Sequence, residues 1–155
     1  MNADYVKISS ENIQKSIDLL QEAGEQECVL LWLGRREGDM QTIVDVYQPE
    51  QIGTIDYFEI PRSGMAGLMT RLRTHGLYVV SQVHTHPQDA FHSATDDRWA
   101  IVRHVGALSI VLPRFAVSTT LENFLEQAAV FELDESNSWN QVASELVPAK
   151  LRIAP

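Results

Sequence analysis

A chain of 155 residues with 45% hydrophobic and 8% aromatic content has the size and balance of one globular domain, large enough to bury a core without disulfide or metal staples. Its 12 basic and 21 acidic residues leave a net charge of −9, which argues against a nucleic-acid partner, because such binding rests on neutralising phosphates; an acidic surface instead speeds encounter with a basic partner face. The single cysteine, Cys28, rules out an intramolecular disulfide or a cysteine-based zinc cluster. With no signal-like leader and no apolar run of spanning length, the expected location is the cytoplasm, away from any membrane.

Tyr5–Ile8 reads as a short first strand. Ser9 or Ser10 then starts an amphipathic helix carrying Ile13, Ile17, Leu19 and Leu20 to about Glu22, and Ala23-Gly24 ends it. Glu27–Leu33 is a strand in which Cys28 sits as a buried, inert thiol. Gly34 through Asp39 reads as a hairpin turn into a strand at Thr42–Tyr47. After a polar loop from Gln48 to Gly53, Ile55–Ile60 alternates as a further strand. Pro61-Arg62-Ser63 opens a second helix with an apolar stripe of Met65, Leu68, Met69 and Leu72, expected to face the core, and Gly76 caps it.

Leu77–Val83 is apolar and β-branched, and it runs into His84-Thr85-His86-Pro87. Side chains two apart on a strand point the same way, so His84 and His86 aim two imidazoles at one place, and Pro87 opens a loop. Two imidazoles and one carboxylate make a zinc site whose fourth position stays open, and Asp96 or Asp97, past the loop, can supply the acid. Ser93-x-x-Asp96 also has the form of a capping box, with Ser93 as N-cap of a third helix running through Val102, and His104 at that helix's far end.

Ala107–Leu112 is a continuous apolar strand suited to the middle of a sheet. Arg114–Gln127 carries a loop and a short helical turn near Leu121–Leu125, and Ala129–Leu133 is the last long strand. Ser138–Leu146 reads as a helix, followed by a terminal extension from Pro148. The fold class is α/β of the mixed α+β kind: one domain, 1–155, a curved mixed sheet flanked by helices, with its core over 5–133 and a C-terminal extension over 134–155.

A hydrolytic metal site also needs a general base that is not a ligand, and spacing leaves Glu22, Glu25, Glu27 and Glu37 open. The segment His84-Thr85-His86-Pro87-x5-Ser93-Ala94-Thr95-Asp96 resembles the signature of the JAMM/MPN+ metalloisopeptidases, which remove ubiquitin or ubiquitin-like proteins. That family places a glutamate at the start of an apolar strand, seven residues before a glycine, as Glu27 stands before Gly34.

The resemblance implies a JAMM/MPN (cytidine-deaminase-like) fold and one zinc ion held by His84, His86 and Asp96. It also implies Glu27 as general base and Ser93 as donor to the oxyanion. Its substrate would be a ubiquitin-like protein or its conjugate, bound by its extended tail as an added strand, with other parts of a conjugation system as further partners. Two features depart from the pattern. Five residues, Gln88 to His92, separate the proline from the serine where six are common, which makes Asp97 the reserve ligand; and Leu30 stands where many members have a small residue. Short segments at Gln48–Asp56 and Arg114–Gln127 resemble compact bacterial members. Cleavage of a sulfur-carrier adduct or small peptide, and a non-catalytic scaffold role, are the alternatives.

Overall fold

Local chemistry starts the first helix where the hydroxyls allow it. β1 (Tyr5–Ser9) ends as the Ser9 hydroxyl accepts the Asn12 N–H at 3.1 Å, capping α1 (Ser10–Glu22). The i, i+4, i+7 series Ile13, Ile17 and Leu20 is buried, and between them Ser16 accepts the indole N–H of Trp32 at 3.0 Å. The computed structural model describes residues 4–91, 96 and 100–155.

β2 (Val29–Glu37) and β3 (Met40–Tyr47) form an antiparallel hairpin. The sequence reading ended β2 at Leu33. Instead the strand continues through Gly34–Glu37, and the turn is the two-residue Gly38-Asp39, with Gly38 at φ 66°. The apolar pattern stops at Leu33 because the strand leaves the core there, while its ladder goes on. Pairing slips at that point, from Leu33 opposite Asp45 to Gly34 opposite Ile43. A Cβ on Gly34 would lie 2.0 Å from the Thr42 carbonyl oxygen, so only glycine fits.

The predicted strand at Ile55–Ile60 is replaced by a two-stranded ribbon, β4 (Ile52–Gly53) against β5 (Phe58–Glu59). The Thr54 hydroxyl accepts the Asp56 and Tyr57 N–H groups and turns the chain where a ladder would have run. α2 (Arg62–His75) ends on Gly76 in the left-handed conformation, as expected. Its buried line is Gly64 and Leu68 with Leu72 partly covered, whereas Met65 and Met69 are 38% and 49% exposed. The methionine stripe is therefore a misreading. Gly64 brings the helix within 2.3 Å, measured from its would-be Cβ, of the Glu50 carbonyl oxygen, which fixes the rotation and turns the methionines out.

β6 (Tyr78–Thr85), β7 (Leu108–Leu112), β8 (Ala129–Leu133), β9 (Trp139–Gln141) and β10 (Leu151–Ala154) complete a sheet in the order β10-β1-β3-β2-β6-β7-β8-β9. β1–β10, β1–β3 and β6–β7 are parallel and the other pairs antiparallel, so the sheet is mixed, as expected. Leu30, Trp32, Val83 and Ile110 face α1 and Phe124 of α3 (Phe124–Gln127), while Val29, Leu31 and Leu33 face α2. Covering both faces explains why β2 begins as an unbroken apolar run.

Two further expectations fail. The third helix does not reach Val102: Ile101 and Val102 are non-helical and donate their N–H groups to the side-chain oxygen of Gln82 at 2.9 and 3.5 Å. His104 accordingly lies in the connection before β7, its ring edge-on to Tyr78. The tail holds no helix over Ser138–Leu146, and the extension from Pro148 packs into the main sheet. The tail supplies β9, a 3-10 turn at Ser144–Leu146, α4 (Val147–Lys150) and β10, which pairs in parallel with β1. Leu151 is fully buried. Leu151→Ala should cost about 2–5 kcal/mol in urea unfolding; a loss near zero would make the tail an appendage.

Candidate metal centre

Three strands converge on the site. Val29 stands opposite His84 across the antiparallel β2–β6 pair, and His84 stands beside Val111 in the parallel β6–β7 pair. Past the end of β6 the backbone is still held: His86 donates its N–H to the Leu112 carbonyl at 3.0 Å, and its own carbonyl accepts the Phe115 N–H at 2.9 Å. Thr85, between the histidines, points to the other edge. Its hydroxyl accepts the Cys28 N–H and its N–H donates to the Cys28 carbonyl, both at 3.2 Å.

The result is the predicted convergence. His84 Nε2 lies 3.2 Å from His86 Nε2, and Asp96 Oδ2 lies 3.2 Å from the first and 3.0 Å from the second. Both histidines are buried and Asp96 is half-buried and helical. Lone pairs this close repel unless a proton or a cation lies among them. Donors about 2.0–2.1 Å from a tetrahedral ion stand about 3.3 Å apart, and the three observed edges fit that spacing. The residues present therefore suit a small divalent ion. Phe91 meets the His86 ring edge-on at 4.4 Å and Phe58 tilts against His84 at 5.8 Å, so apolar surface flanks the two rings.

Glu27 is buried, with Oε1 3.7 Å from His86 Nε2. Burial raises its pKa from 4.5 to about 7; His86 pulls it down, while the carboxylates of Asp96 and Asp56 push it up. Cys28, next to it, is buried, and its thiol is pushed up to about 11 by burial, so it is inert, as expected. Glu22, Glu25 and Glu37 are exposed, as is Asp89. The predicted Ser93, the reserve ligand Asp97 and His92 lie outside the described residues. Sequence reasoning missed Thr85, Phe58, Phe91 and Gln51: an isolated polar or aromatic residue at a strand end or in a loop carries no periodic signal, and only the fold shows what it touches.

The family described as prokaryotic homologs of the JAB domain matches residues 9–123, a span that includes Glu27, His84, His86 and Asp96. This chain belongs to that family. The JAB-domain assignment agrees with a relative 33% identical over 141 residues, 86% of this chain and 85% of its own length: "Probable metalloprotease y4jG" of Sinorhizobium fredii (strain NBRC 101917 / NGR234). Among solved structures, protein DSY2949 from Desulfitobacterium hafniense superposes with a TM-score of 0.69 over 96% of this chain and 92% of its own. At 14% identity, that likeness speaks for the fold alone. The family match, the relative and the His84–His86–Asp96 cluster together make this JAB protein a metal-dependent hydrolase of the JAMM type. Among the described residues no helix is long and apolar enough to cross a membrane.

The raised pKa of Glu27 has a measurable consequence in chelator-treated protein. Between pH 4.5 and about 7 the folded state holds a proton on Glu27 that the unfolded chain has released. Stability therefore falls as pH rises through that window, and the loss is complete above it. Glu27→Gln, which never ionises, should gain thermal midpoint over wild type progressively across the window and hold the gain at higher pH. A pH-independent difference would show that Glu27 titrates as an ordinary surface carboxylate.

Proposed function

We propose that this chain is a zinc-dependent isopeptidase or processing peptidase that hydrolyses the bond after the C-terminus of a ubiquitin-like protein. His84, His86 and Asp96 would hold the ion and Glu27 would act as general base. The observation that carries this reading is the position of Glu27: a buried carboxyl just ahead of β2, 3.7 Å from one proposed ligand atom and outside the ligand set. A carboxylate beside, rather than within, a ligand set is what hydrolysis at such a centre needs.

When bound there, zinc supplies Lewis acidity: it polarises a carbonyl oxygen and brings the pKa of water toward about 7. Glu27 takes the proton of the attacking water on its carboxylate and then delivers it to the departing lysine or peptide amine, so the proton count closes. Ser93 donates a hydrogen bond to the oxyanion, a role worth roughly 3–4 kcal/mol where comparable donors have been removed. The β4–β5 ribbon supports a peptide-tail substrate. It is joined to the base by the Glu27 N–H donating to the Thr54 carbonyl at 2.7 Å, and it presents Ile52, Ile55 and Tyr57 to solvent. An extended tail added as a strand beside such a ribbon gains main-chain hydrogen bonds and apolar contact together. The partners are then a ubiquitin-like protein or its conjugate and, through it, other components of a conjugation system.

A sulfur-carrier adduct or a small peptide would use the same machinery; a scaffold would not need Glu27 buried beside three converging ligand atoms. The test is ubiquitin joined through its C-terminal glycine to a lysine of a fluorescent peptide, alongside a small sulfur-carrier fusion, each with and without chelator. Cleavage of one or both that stops with chelator and returns with zinc is expected. Glu27→Gln should retain stoichiometric zinc by elemental analysis and lose about 10²–10⁴-fold in turnover; wild-type turnover in that variant would reject the base.

His84→Ala and His86→Ala should lose zinc and activity together, whereas a scaffold would purify without zinc from the start. Asp96→Asn should lose zinc and Asp97→Asn keep it; the reverse result would make Asp97 the ligand.

A further inference from the structure

The short segment Glu27-Cys28-Val29 carries the proposed base, and its backbone is gripped from both edges. Cys28 turns its N–H and C=O toward β6, where Thr85 takes both. Glu27 and Val29, one residue to either side, turn theirs the other way, as strand alternation requires. On that side β3 has already ended, since its last pairing is Tyr47 opposite Leu31. Among the described residues no strand continues there to pair with Val29.

A side chain takes the place of the missing strand. The amide of Gln51 accepts the Val29 N–H at 2.8 Å through Oε1 and donates to the Val29 carbonyl at 2.9 Å through Nε2. Its second N–H is spent on the Pro49 carbonyl at 3.0 Å, which ties the amide to its own loop. All three contacts use complementary partners, and an amide is the one side-chain group that offers donor and acceptor in the geometry of a peptide. Two residues on, Gly53 lets the loop reach the Glu27 backbone: a Cβ there would lie 2.4 Å from the Glu27 carbonyl oxygen. Thr54 then accepts the Glu27 N–H at 2.7 Å.

We propose that Gln51 is a positioning residue for the hydrolytic reaction: its side-chain amide acts as a surrogate β-strand that fixes the Glu27 backbone, and so the base, against the two histidines. This rests on Glu27 being the base, as argued above. The hydrogen bonds of Gln51 go to the Val29 and Pro49 backbone and not to the ligand set or the carboxyl of Glu27, so its influence is carried by backbone placement. Near-attack geometry is steep enough that a displacement of an ångström costs on the order of a hundredfold in rate.

The experiment compares wild type, Gln51→Met and Gln51→Glu, each also in the Glu27→Gln background, by three readouts. Amide hydrogen exchange in chelator-treated protein reads the clamp without any turnover; Val29 and Glu27 should exchange about tenfold faster in Gln51→Met while Cys28, held by Thr85, keeps its protection. Gln51→Glu retains the acceptor for the Val29 N–H but sets a carboxylate against two carbonyl oxygens, so Val29 stays protected in it and Glu27 does not. With the ubiquitin–lysyl peptide as substrate, kcat should fall about ten- to a hundredfold in Gln51→Met with KM and zinc stoichiometry unchanged. In the Glu27→Gln background the same substitution should cost nothing further.

Unchanged exchange at Val29, or a kcat loss that adds in full to that of Glu27→Gln, overturns the proposal. If Glu27→Gln itself turns over like wild type, the base assignment fails and the positioning role falls with it. The exchange data then still show whether the amide grips the strand, so the two failures are told apart.

Discussion

Three electron-pair donors stand within 3.0–3.2 Å of one another at the end of β6, and that crowding governs the rest of the site. Two imidazole nitrogens and a carboxylate oxygen in van der Waals contact are unfavourable in a dry protein interior without a positive charge among them. The surrounding structure is arranged to sustain the contact. β6 lies between antiparallel β2 and parallel β7, so the His84 backbone is held on both edges, and the His86 backbone beyond the strand is held by Leu112 and Phe115.

The support nearest the site is also strained. Arg114, Phe115 and Ala116 all take positive φ, between 51° and 60°, a left-handed turn built without glycine. Left-handed residues of this kind cost about 1–2 kcal/mol each. Hydrogen bonds offset part of it: Arg114 N–H to the Gln88 carbonyl, Phe115 N–H to the His86 carbonyl, and the Gln21 side chain to the Ala116 carbonyl. The turn thereby couples α1, the β7 end and the loop that leaves His86. Such strain is common where a fold must hold reacting groups in place.

Membership of the JAB family and the buried Glu27 bear on different levels of the functional question. The family match and the 33% relative place this chain among metal-dependent hydrolases of JAMM type, and the proposed role of Glu27 as base is what would distinguish a hydrolytic centre from three ligands that merely store an ion. Zinc as the ion and a ubiquitin-like tail as the substrate are the proposed refinements. The exposed Ile52, Ile55 and Tyr57 on the ribbon next to Glu27 are the apolar surface on which the proposed peptide substrate rests.

Much of this was legible in the residues because it depends on local periodicity. A two-residue strand period makes His84 and His86 face one way wherever the strand goes, and β-branched and apolar runs marked β2, β6, β7 and β8. Serine and glycine at helix ends marked α1 and α2. What escaped has a common cause: it depends on contacts between segments far apart in the chain. The helix stripe of Met65 and Met69 was misread because Gly64 docking on Glu50 sets the rotation of α2. The tail was misread because β10 exists only where β1 is there to pair with it. Gln51 looked like any polar loop residue until the early end of β3 left that edge of Val29 for a side chain to take. Sequence by itself determined which groups could bind a metal and which glutamates could serve it; only tertiary structure brought Glu27 to His86, because two strands distant in sequence must pair before their ends can meet.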